Sequence, residues 1–410
     1  MTSFEQKLEK YAELIVSVGL NIQKDQTLFI DAPVESPEFV RFVVKKAYER
    51  GAKEVRLDWY DDQASRIKFE LAPASSFTEF PSYKALEKEE LAKEGAAYLH
   101  ITSSDPDYLK GIDSSKISSF QKAKGKELET FRQYMQNEKI SWTIAAAATE
   151  GWANKVFSNE PKEQRLSFLW DAIFSTTRSH EEDPVKAWEN HSKSLQEKKE
   201  YLNSKRYKAL HYKAKGTDLS IELPKDHIWT TAESKNEHGH GFIKNIPTEE
   251  VFTSPSMYGV NGTVSSSKPL SYAGNIIDEF QLTFKNGRVI AAKAKQGEEI
   301  LQSLVDTDEG SHYLGEIALV PHDSPISNSN ILFFNTLFDE NASNHLALGA
   351  AFPFCLKDGV KMTKEQLAEK GLNDSLTHVD FMVGTADMDI DGELEDGTLE
   401  PIFRNGNWAF

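Results

Sequence analysis

The order of helical and strand patterns in the first 60 residues constrains the fold more than any other feature of this sequence. Apolar residues recur at helical spacing over residues 4–18, and residues 27–30 and 55–59 have the composition of strands. Between the two strands, residues 36–51 form a helical pattern that opens with a hydroxyl cap and a proline and closes at a glycine. An order of helix, strand, helix, strand is typical of a parallel sheet. The N-terminal part therefore predicts an α/β domain with an open, mostly parallel sheet.

The second half of the chain has a different pattern, which predicts a second domain. Up to residue 205 we expect further helices at 83–93 and 116–136, strands at 97–101 and 140–144, and a very polar helical stretch at 158–205. Short strands dominate afterwards, at 209–212, 219–223 and 228–231, with a hairpin of 280–284 and 288–292 joined across Asn286-Gly287. We predict an α/β domain over residues 1–205 and a β-rich domain of the α+β class over residues 206–410.

The charge balance and the cysteine count narrow the class of protein. The 410 residues include 47 Lys and Arg against 64 Asp and Glu, a formal charge of −17 that repels nucleic-acid phosphates and anionic membranes. The N-terminal residues carry charges where a signal peptide has its apolar stretch, and no run is apolar enough to cross a bilayer. Cys355 is the only cysteine, which excludes an intrachain disulfide. We expect a cytoplasmic protein that binds neither nucleic acid nor a membrane.

Four segments of the second half place a carboxylate or a histidine beside apolar, strand-like sequence. They are Asn-Ile-Pro-Thr-Glu-Glu-Val-Phe-Thr at 245–253, Tyr-Leu-Gly-Glu-Ile-Ala-Leu-Val at 313–320, Phe-Asp-Glu-Asn-Ala-Ser-Asn-His at 338–345, and His-Val-Asp at 378–380. Residues 331–334 predict a buried strand before the third segment, and Asp339, Glu340 and His345 stand where the chain turns into a short Ala/Leu helix. In the fourth segment, the strand period of two puts His378 and Asp380 on one face.

Each of these acids and histidines alone has an ordinary structural explanation, such as a solvent-exposed carboxylate or a hydrogen-bonded imidazole. Taken together, they form a set of candidate metal ligands: Glu250, Glu316, Glu340, His345, His378 and Asp380. With neutral histidines, the four carboxylates carry enough negative charge to neutralise two divalent cations. Mixed carboxylate and imidazole donors suit zinc, cobalt, manganese or magnesium, and in dinuclear sites the two ions lie roughly 3.5–4 Å apart. The C-terminal domain is therefore predicted to carry a two-metal site.

The four segments, in this order and at this spacing, resemble the metal-site motifs of the aminopeptidase T/aminopeptidase S family of metallopeptidases, and the similarity extends through the Trp152 region to the N-terminus. The resemblance implies a dinuclear, metal-dependent aminopeptidase that acts on peptides and forms a homodimer whose partners enclose the active sites. It also assigns the ligands: Glu250, Glu316, His345, His378 and Asp380, with Glu340 as a further ligand. Glu316 is implied to be the general base as well, since a bound metal lowers the pKa of water and a neighbouring carboxylate accepts the proton.

One position departs from the family pattern, because Phe352 stands where the motif after the histidine has a tyrosine implicated in holding the oxyanion. Loss of one oxyanion donor lowers turnover by roughly 10²–10³. Either Tyr258, Tyr272 or Tyr313 substitutes, or the chain is a slowed variant, natural or engineered.

Two other functional classes stay open from the residues alone. A dinuclear amidohydrolase or phosphoesterase uses similar ligands, and a peptide-binding or metal-storage protein would be compatible with Phe352. Three further patterns are weaker: a calcium-loop-like run at 387–392, the pair His238 and His240, and His312, which stands one turn before Glu316 and could orient it.

Overall fold

Local hydrogen bonds set the first turns of several helices. Ser3 and Gln6 form a capping box at the first helix, and the Asp61 carboxylate caps the third. The computed structural model describes residues 3–103, 105–272 and 275–410, with the backbone alone at Ser114. In this part of the chain the helices are α1 Phe4–Leu14, α2 Pro37–Glu49, α3 Asp62–Leu71, α4 Ser82–Lys93, α5 Ser114–Glu127, α6 Glu129–Gln136, α7 Glu150–Val156, α8 Lys162–Thr176, α9 Pro184–Lys205, α10 Glu298–Val305, α11 Pro325–Asn328, α12 Thr336–Asp339 and α13 Lys364–Glu369.

The strands follow two arrangements, parallel in the first part of the chain and antiparallel in the second. They are β1 Thr27–Pro33, β2 Glu54–Tyr60, β3 Ala97–Thr102, β4 Trp142–Ala146, β5 Ala209–Ala214, β6 Thr217–Glu222, β7 Glu233–Lys235, β8 Gly241–Ile243, β9 Val251–Thr253, β10 Val260–Ser265, β11 Leu270–Tyr272, β12 Asn275–Lys285, β13 Arg288–Gln296, β14 Leu314–Leu319, β15 His345–Gly349, β16 His378–Met382, β17 Asp389–Glu393, β18 Leu399–Arg404 and β19 Asn407–Trp408.

The chain divides into two compact units and passes between them three times. One unit consists of Met1–His191 and Ala232–Pro247, and the other of Ser192–Thr231 and Thr248–Phe410. The sequence predicts a single boundary after residue 205, whereas the structure assigns the segment Ala232–Pro247 to the first unit.

The first unit is built on a four-stranded sheet in the order β2-β1-β3-β4, in which all neighbouring strands are parallel. Helices alternate with these strands along the chain, which confirms the predicted α/β fold. The segment Ala232–Pro247 contributes the hairpin of β7 and β8 and continues alongside β4. There the amide of Ile144 donates to the carbonyl of Lys244 at 2.8 Å, and the amide of Ile246 donates to the carbonyl of Ile144 at 2.9 Å.

The second unit contains a nine-stranded sheet in the order β11-β12-β10-β6-β5-β17-β18-β19, with β13 paired to β12, and a four-stranded sheet in the order β16-β15-β14-β9. The pairings in both are antiparallel, which confirms the predicted β-rich second fold. The two sheets share one hydrophobic core, to which the smaller sheet contributes Ile317, Leu319, Leu346, Leu348 and Phe381.

Two predicted elements beside the candidate ligands are wrong. Residues 331–334 are not a strand. The Asp339 carboxylate accepts hydrogen bonds from the amides of Phe333 and Asn335, which would otherwise be available to a neighbouring strand. The Ala/Leu stretch after Ala342 is the strand β15 and not a helix. All five residues of β15 are buried, and a strand that is buried throughout shows no alternation by which to distinguish it from a helix.

Two further elements differ from their predictions. Residues 228–231 form only isolated bridges at Thr230 and at the neighbouring His227, since the amide of Trp229 is held by the side chain of Asn203. The long helix expected over 116–136 is divided at Leu128 into α5 and α6. Among the helices of the described residues, none has the length and apolar character that a membrane span requires.

Candidate metal centre

In the four-stranded sheet β16-β15-β14-β9, successive residues of a strand face opposite sides, so apolar side chains lie on one face and candidate ligands on the other. Glu316 of β14 lies opposite Ala347 of β15, which lies opposite Asp380 of β16, so these three side chains share a face. His345 lies opposite Ala318 and shares this face as well. The intervening residues of the same strands point into the hydrophobic core. One face of the sheet therefore stabilises the fold, and the other presents carboxylates and imidazoles.

A β-bulge at Gly315 sets the register of this face. Leu314 pairs with Leu348 but Glu316 pairs with Ala347, so β14 has one extra residue at this point. A Cβ atom on Gly315 would lie 2.2 Å from the carbonyl oxygen of Ala350, which only glycine avoids. The bulge therefore requires glycine, and it places Glu316 in the row with Asp380.

Five of the six candidate ligands meet in two groups that share one member. Donor atoms of Glu250, Glu316 and His345 lie within 4.8 Å of one another, and so do those of Glu316, His378 and Asp380. The two groups are held by close contacts. Nε2 of His345 lies 3.3 Å from Oε2 of Glu250, and Nε2 of His378 lies 3.0 Å from Oε2 of Glu316 and 3.3 Å from Oδ1 of Asp380. Glu316 belongs to both groups.

Both imidazoles are oriented by backbone carbonyls. Nδ1 of His345 lies 3.2 Å from the carbonyl oxygen of Ser343, and Nδ1 of His378 lies 2.7 Å from that of Ala350. An Nδ1–H group that donates to a carbonyl fixes the ring and directs Nε2 toward the cluster. In both histidines, Nε2 is therefore the atom available to a cation.

The sixth candidate, Glu340, lies outside the two groups but within their electrostatic field. Burial raises its pKa well above the ordinary value, and the charges of Asp380 and Glu250 raise it further. Its Oε1 atom lies 3.4 Å from the side-chain amide of Asn341. Glu340 is therefore a neighbour of the cluster and not a member of either group.

The imidazoles and carboxylates of the cluster shift one another's pKa values. Burial alone lowers the pKa of His345, but the hydrogen bond with Glu250 and the surrounding carboxylates raise it to about 10. Burial likewise opposes the charge of His378, and Asp380 and Glu316 raise its pKa well above the ordinary value. Burial raises the pKa of Glu316, whereas for Asp380 burial is outweighed by His378 and His345 together with a backbone hydrogen bond, so its pKa is lowered.

The donor set fits divalent cations. Carboxylate oxygens and imidazole nitrogens suit zinc and the neighbouring metals. Oδ1 of Asp380 is buried and has no well-aligned hydrogen bond, although Nε2 of His378 lies 3.3 Å away. A buried carboxylate oxygen without such a bond is costly unless a cation or a water satisfies it. The chemistry of this face therefore matches a metal centre.

Phe352 lies directly beside the cluster. Its ring centroid is 4.8 Å from that of His378, and its amide donates to Oγ of Ser254 at 3.0 Å. The ring stacks on Phe354 at 5.1 Å and meets Phe252 edge-on at 5.9 Å. Phe352, where the resemblance implies a tyrosine, is thus in contact with a candidate ligand.

The three tyrosines considered as substitutes have their contacts elsewhere. The guanidinium carbon of Arg288 lies 5.8 Å from the ring centroid of Tyr313, whose ring also lies 5.9 Å from that of the exposed Tyr258. Tyr272 is half-buried against the hydrophobic core of the second unit. Their contacts therefore give no support to any of them as an oxyanion donor.

The weaker sequence patterns lie outside the cluster. Nε2 of His312 is 3.5 Å from Oδ1 of Asp306, and the rings of His238 and His240 lie 6.5 Å apart. Strand β17, Asp389–Glu393, includes residues 389–392 of the calcium-loop-like run. The sequence pattern missed one residue of the centre, Asn341, whose contacts join two ligand-bearing segments. An asparagine between Glu340 and His345 is the only signal that could have indicated it.

Comparisons with known proteins show the family of this chain. A family model described as thermophilic metalloprotease (M29) matches residues 4–408. Aminopeptidase AmpS of Bacillus subtilis is 58% identical over 410 residues, and aminopeptidase T of Thermus thermophilus is 40% identical over 409, with 100% of each chain covered in both cases. The solved structure of wild-type AmpT from Thermus thermophilus superposes with a TM-score of 0.94 at 39% identity, covering 100% of both chains. The chain therefore belongs to the thermophilic metalloprotease family M29.

Proposed function

We propose that this chain is a metallo-aminopeptidase that removes N-terminal residues from peptides at the face formed by β9, β14, β15 and β16. The observation that carries the proposal is the position of Glu316, which belongs to both candidate metal-binding groups. A carboxylate shared in this way suits two neighbouring ions. The proposed ligands are Glu250, Glu316, His345, His378 and Asp380, with Glu340 as a further ligand.

Divalent ions held by these residues would supply Lewis-acid activation of water and of the scissile carbonyl. Glu316 accepts the proton of the water as its oxygen adds to the carbonyl carbon, and returns it to the leaving amine nitrogen when the C–N bond breaks. Glu316 is buried, belongs to both groups and contacts Nε2 of His378 at 3.0 Å, which supports this central role. The carbonyls of Ser343 and Ala350 keep Nε2 of each histidine directed toward the ions.

The preference for a free N-terminus follows from the excess of carboxylates. The cluster and its neighbour contain four acids, Glu250, Glu316, Glu340 and Asp380. A protonated α-amine is attracted to such a site, whereas an acylated amine has neither the charge nor the donor geometry. The identity of the ions among zinc, cobalt, manganese and magnesium, the homodimer and the cytoplasmic location stay predictions.

The family match favours the aminopeptidase over a dinuclear amidohydrolase or phosphoesterase. A slowed peptidase is the second candidate, because Phe352 contacts His378 and offers no hydroxyl to an oxyanion.

A digestion experiment tests the function. Metal-free protein is incubated with a peptide, with the same peptide N-acetylated, and with a phosphate ester, each with and without cobalt or zinc. We expect stepwise release of free amino acids from the unblocked peptide alone, only with metal, and loss of this release after chelation. Release from the acetylated peptide, hydrolysis of the ester in preference to the peptide, or no release with saturating metal would contradict the proposal.

A further inference from the structure

We propose that Asn341 is a positioning residue that sets Glu250 and Glu340 relative to each other, so that this pair of carboxylates is ready to bind a metal ion. The inference deepens the proposed function and rests on it, because it concerns the same metal centre.

The side chain of Asn341 makes hydrogen bonds in two directions. It lies in the turn Glu340–Ala342 and is fully buried, with 0% of its surface exposed. Its Oδ1 accepts a hydrogen bond from the amide of Glu249 at 2.8 Å, and its Nδ2 donates one to the carbonyl of Leu337 at 3.0 Å. The same Nδ2 lies 3.4 Å from Oε1 of Glu340, a long hydrogen bond.

These contacts join two ligand-bearing segments that are far apart along the chain. Glu249 is 92 positions before Asn341, and it directly precedes Glu250 and strand β9. The other segment is the end of α12, where Leu337 and Glu340 lie. A single amide thus fixes the backbone that carries one carboxylate and contacts the second carboxylate itself.

The electrostatics of the cluster explain why such a connection is needed. The donor set is rich in carboxylates, with Glu250, Glu316 and Asp380 in the two groups and Glu340 beside them, and negative charges this numerous repel one another where no cation compensates them. A lysine or arginine here would compete with the metal, whereas the neutral amide of Asn341 restrains Glu340 without adding charge. The restraint engages one oxygen, Oε1, and leaves the other oxygen of Glu340 for an ion.

A purely structural role is the alternative, because a buried amide that satisfies three groups also stabilises its loop. The two roles differ in what they change. A structural role affects the free energy of unfolding, whereas a positioning role affects metal affinity and is coupled to the ligand that it positions. Residues that orient metal ligands typically change metal affinity by about 10–100-fold when they are replaced.

The test is a calorimetric titration of the metal-free protein with cobalt, combined with urea unfolding of the same samples. Asn203→Ala is the matched control, because Asn203 lies in the same unit and holds both the amide and the carbonyl of Trp229 at 3.0 and 2.9 Å. We expect Asn341→Ala to weaken the affinity for at least one ion by about 10–100-fold. Asn203→Ala should change stability but leave the affinity within about threefold of wild type.

A double-mutant cycle with Glu340→Gln separates positioning from stability. If Asn341 acts through Glu340, the affinity lost in the double variant is smaller than the product of the two single losses. The inference would be overturned if the two single losses of affinity multiplied in the double variant, or if Asn341→Ala bound cobalt with wild-type affinity. The proposed function would stand in both cases. Where the alanine variant does not fold, Asn341→Ser provides the same comparison, since its hydroxyl is too short to reach both partners. A wild-type protein that binds no cobalt would remove the proposed function and this inference together.

Discussion

Nε2 of His378 lies 3.0 Å from Oε2 of Glu316, although the two residues are 62 positions apart in the sequence. The strand between them, β15, contributes Ala347, which lies opposite Glu316 on one side and next to Asp380 on the other. The small alanine side chain leaves the space in which the longer acid and imidazole side chains from both neighbours meet. This contact is the centre of the candidate metal site.

Replacement of Glu316 should have the largest effect on the reaction. Glu316→Gln removes an anionic ligand from both metal-binding groups and also the proposed base, so we expect kcat to fall by about 10²–10⁴. Metal content should fall in the same variant. His345→Ala affects one group only and should retain more metal than Glu316→Gln.

Metal analysis and peptide hydrolysis on the same preparations check this prediction. Glu309→Gln is the control, because Glu309 forms an exposed ion pair with Arg288. A Glu316→Gln enzyme with wild-type turnover would exclude the role of Glu316 as base.

Restoring a hydroxyl at position 352 should accelerate the enzyme. Phe352 contacts His378, so Phe352→Tyr places a donor beside the centre, and we expect kcat to rise by about 10²–10³. Metal content should not change. Phe354→Tyr, in the ring that stacks on Phe352, is the matched control and should not raise kcat. Equal turnover in Phe352→Tyr and the parent would show that the missing hydroxyl does not limit the reaction.

Gly349 is expected to be essential for the position of His378. It has φ of +112°, and a Cβ atom would lie 2.1 Å from the carbonyl oxygen of Thr377, which directly precedes His378. Gly349→Ala should lower the free energy of unfolding by more than about 1 kcal/mol and also reduce metal content, because the clash displaces β16. Urea denaturation and metal analysis measure the two effects. Gly125→Ala is the control, since its nearest contact would be a flexible arginine at 3.9 Å.

Acid should destabilise the protein partly through His227. Burial lowers its pKa below the ordinary value of 6.5, against the opposing hydrogen bond with the Pro224 carbonyl. The unfolded chain then binds the proton more readily, so the free energy of unfolding falls as the pH falls below 6.5. In His227→Gln this loss should be smaller. Unfolding of chelator-treated protein between about pH 5 and about pH 7.5 measures the difference. The control variant is His180→Gln, because His180 is exposed. If the free energy of unfolding of this control depended on pH as weakly as that of His227→Gln, the effect could not be assigned to His227.

The sequence predicts the parts of this site that alternation reveals. His378 and Asp380 share a face because a strand has period two, and the structure places them together with Glu316. The parallel sheet of the first unit follows in the same way from the order of its elements. The Ala and Leu residues of strand β15 favour a helix, and because the strand is buried throughout, its sequence has no alternation that would indicate a strand.

Other features of the site depend on contacts between distant segments. The bulge at Gly315 exists only in the pairing of β14 with β15, and its residue pattern does not reveal it. The hydrogen bond between Asn341 and Glu249 could not be predicted for the same reason, because the two residues are 92 positions apart. A sequence pattern does not indicate which distant backbone amide will donate a hydrogen bond to a given side chain.

The passage of the segment Ala232–Pro247 into the first unit has a practical consequence for anyone who truncates this protein. A fragment that begins at residue 206 would keep Lys244 and Ile246 but lose Ile144, to which both are hydrogen-bonded. The released stretch would expose backbone donors and acceptors, and in the other fragment β4 would be an uncovered edge strand, which promotes aggregation. Soluble pieces are better sought by deleting Ala232–Pro247 together with the first unit, or by expressing both fragments in one cell so that they can complement each other.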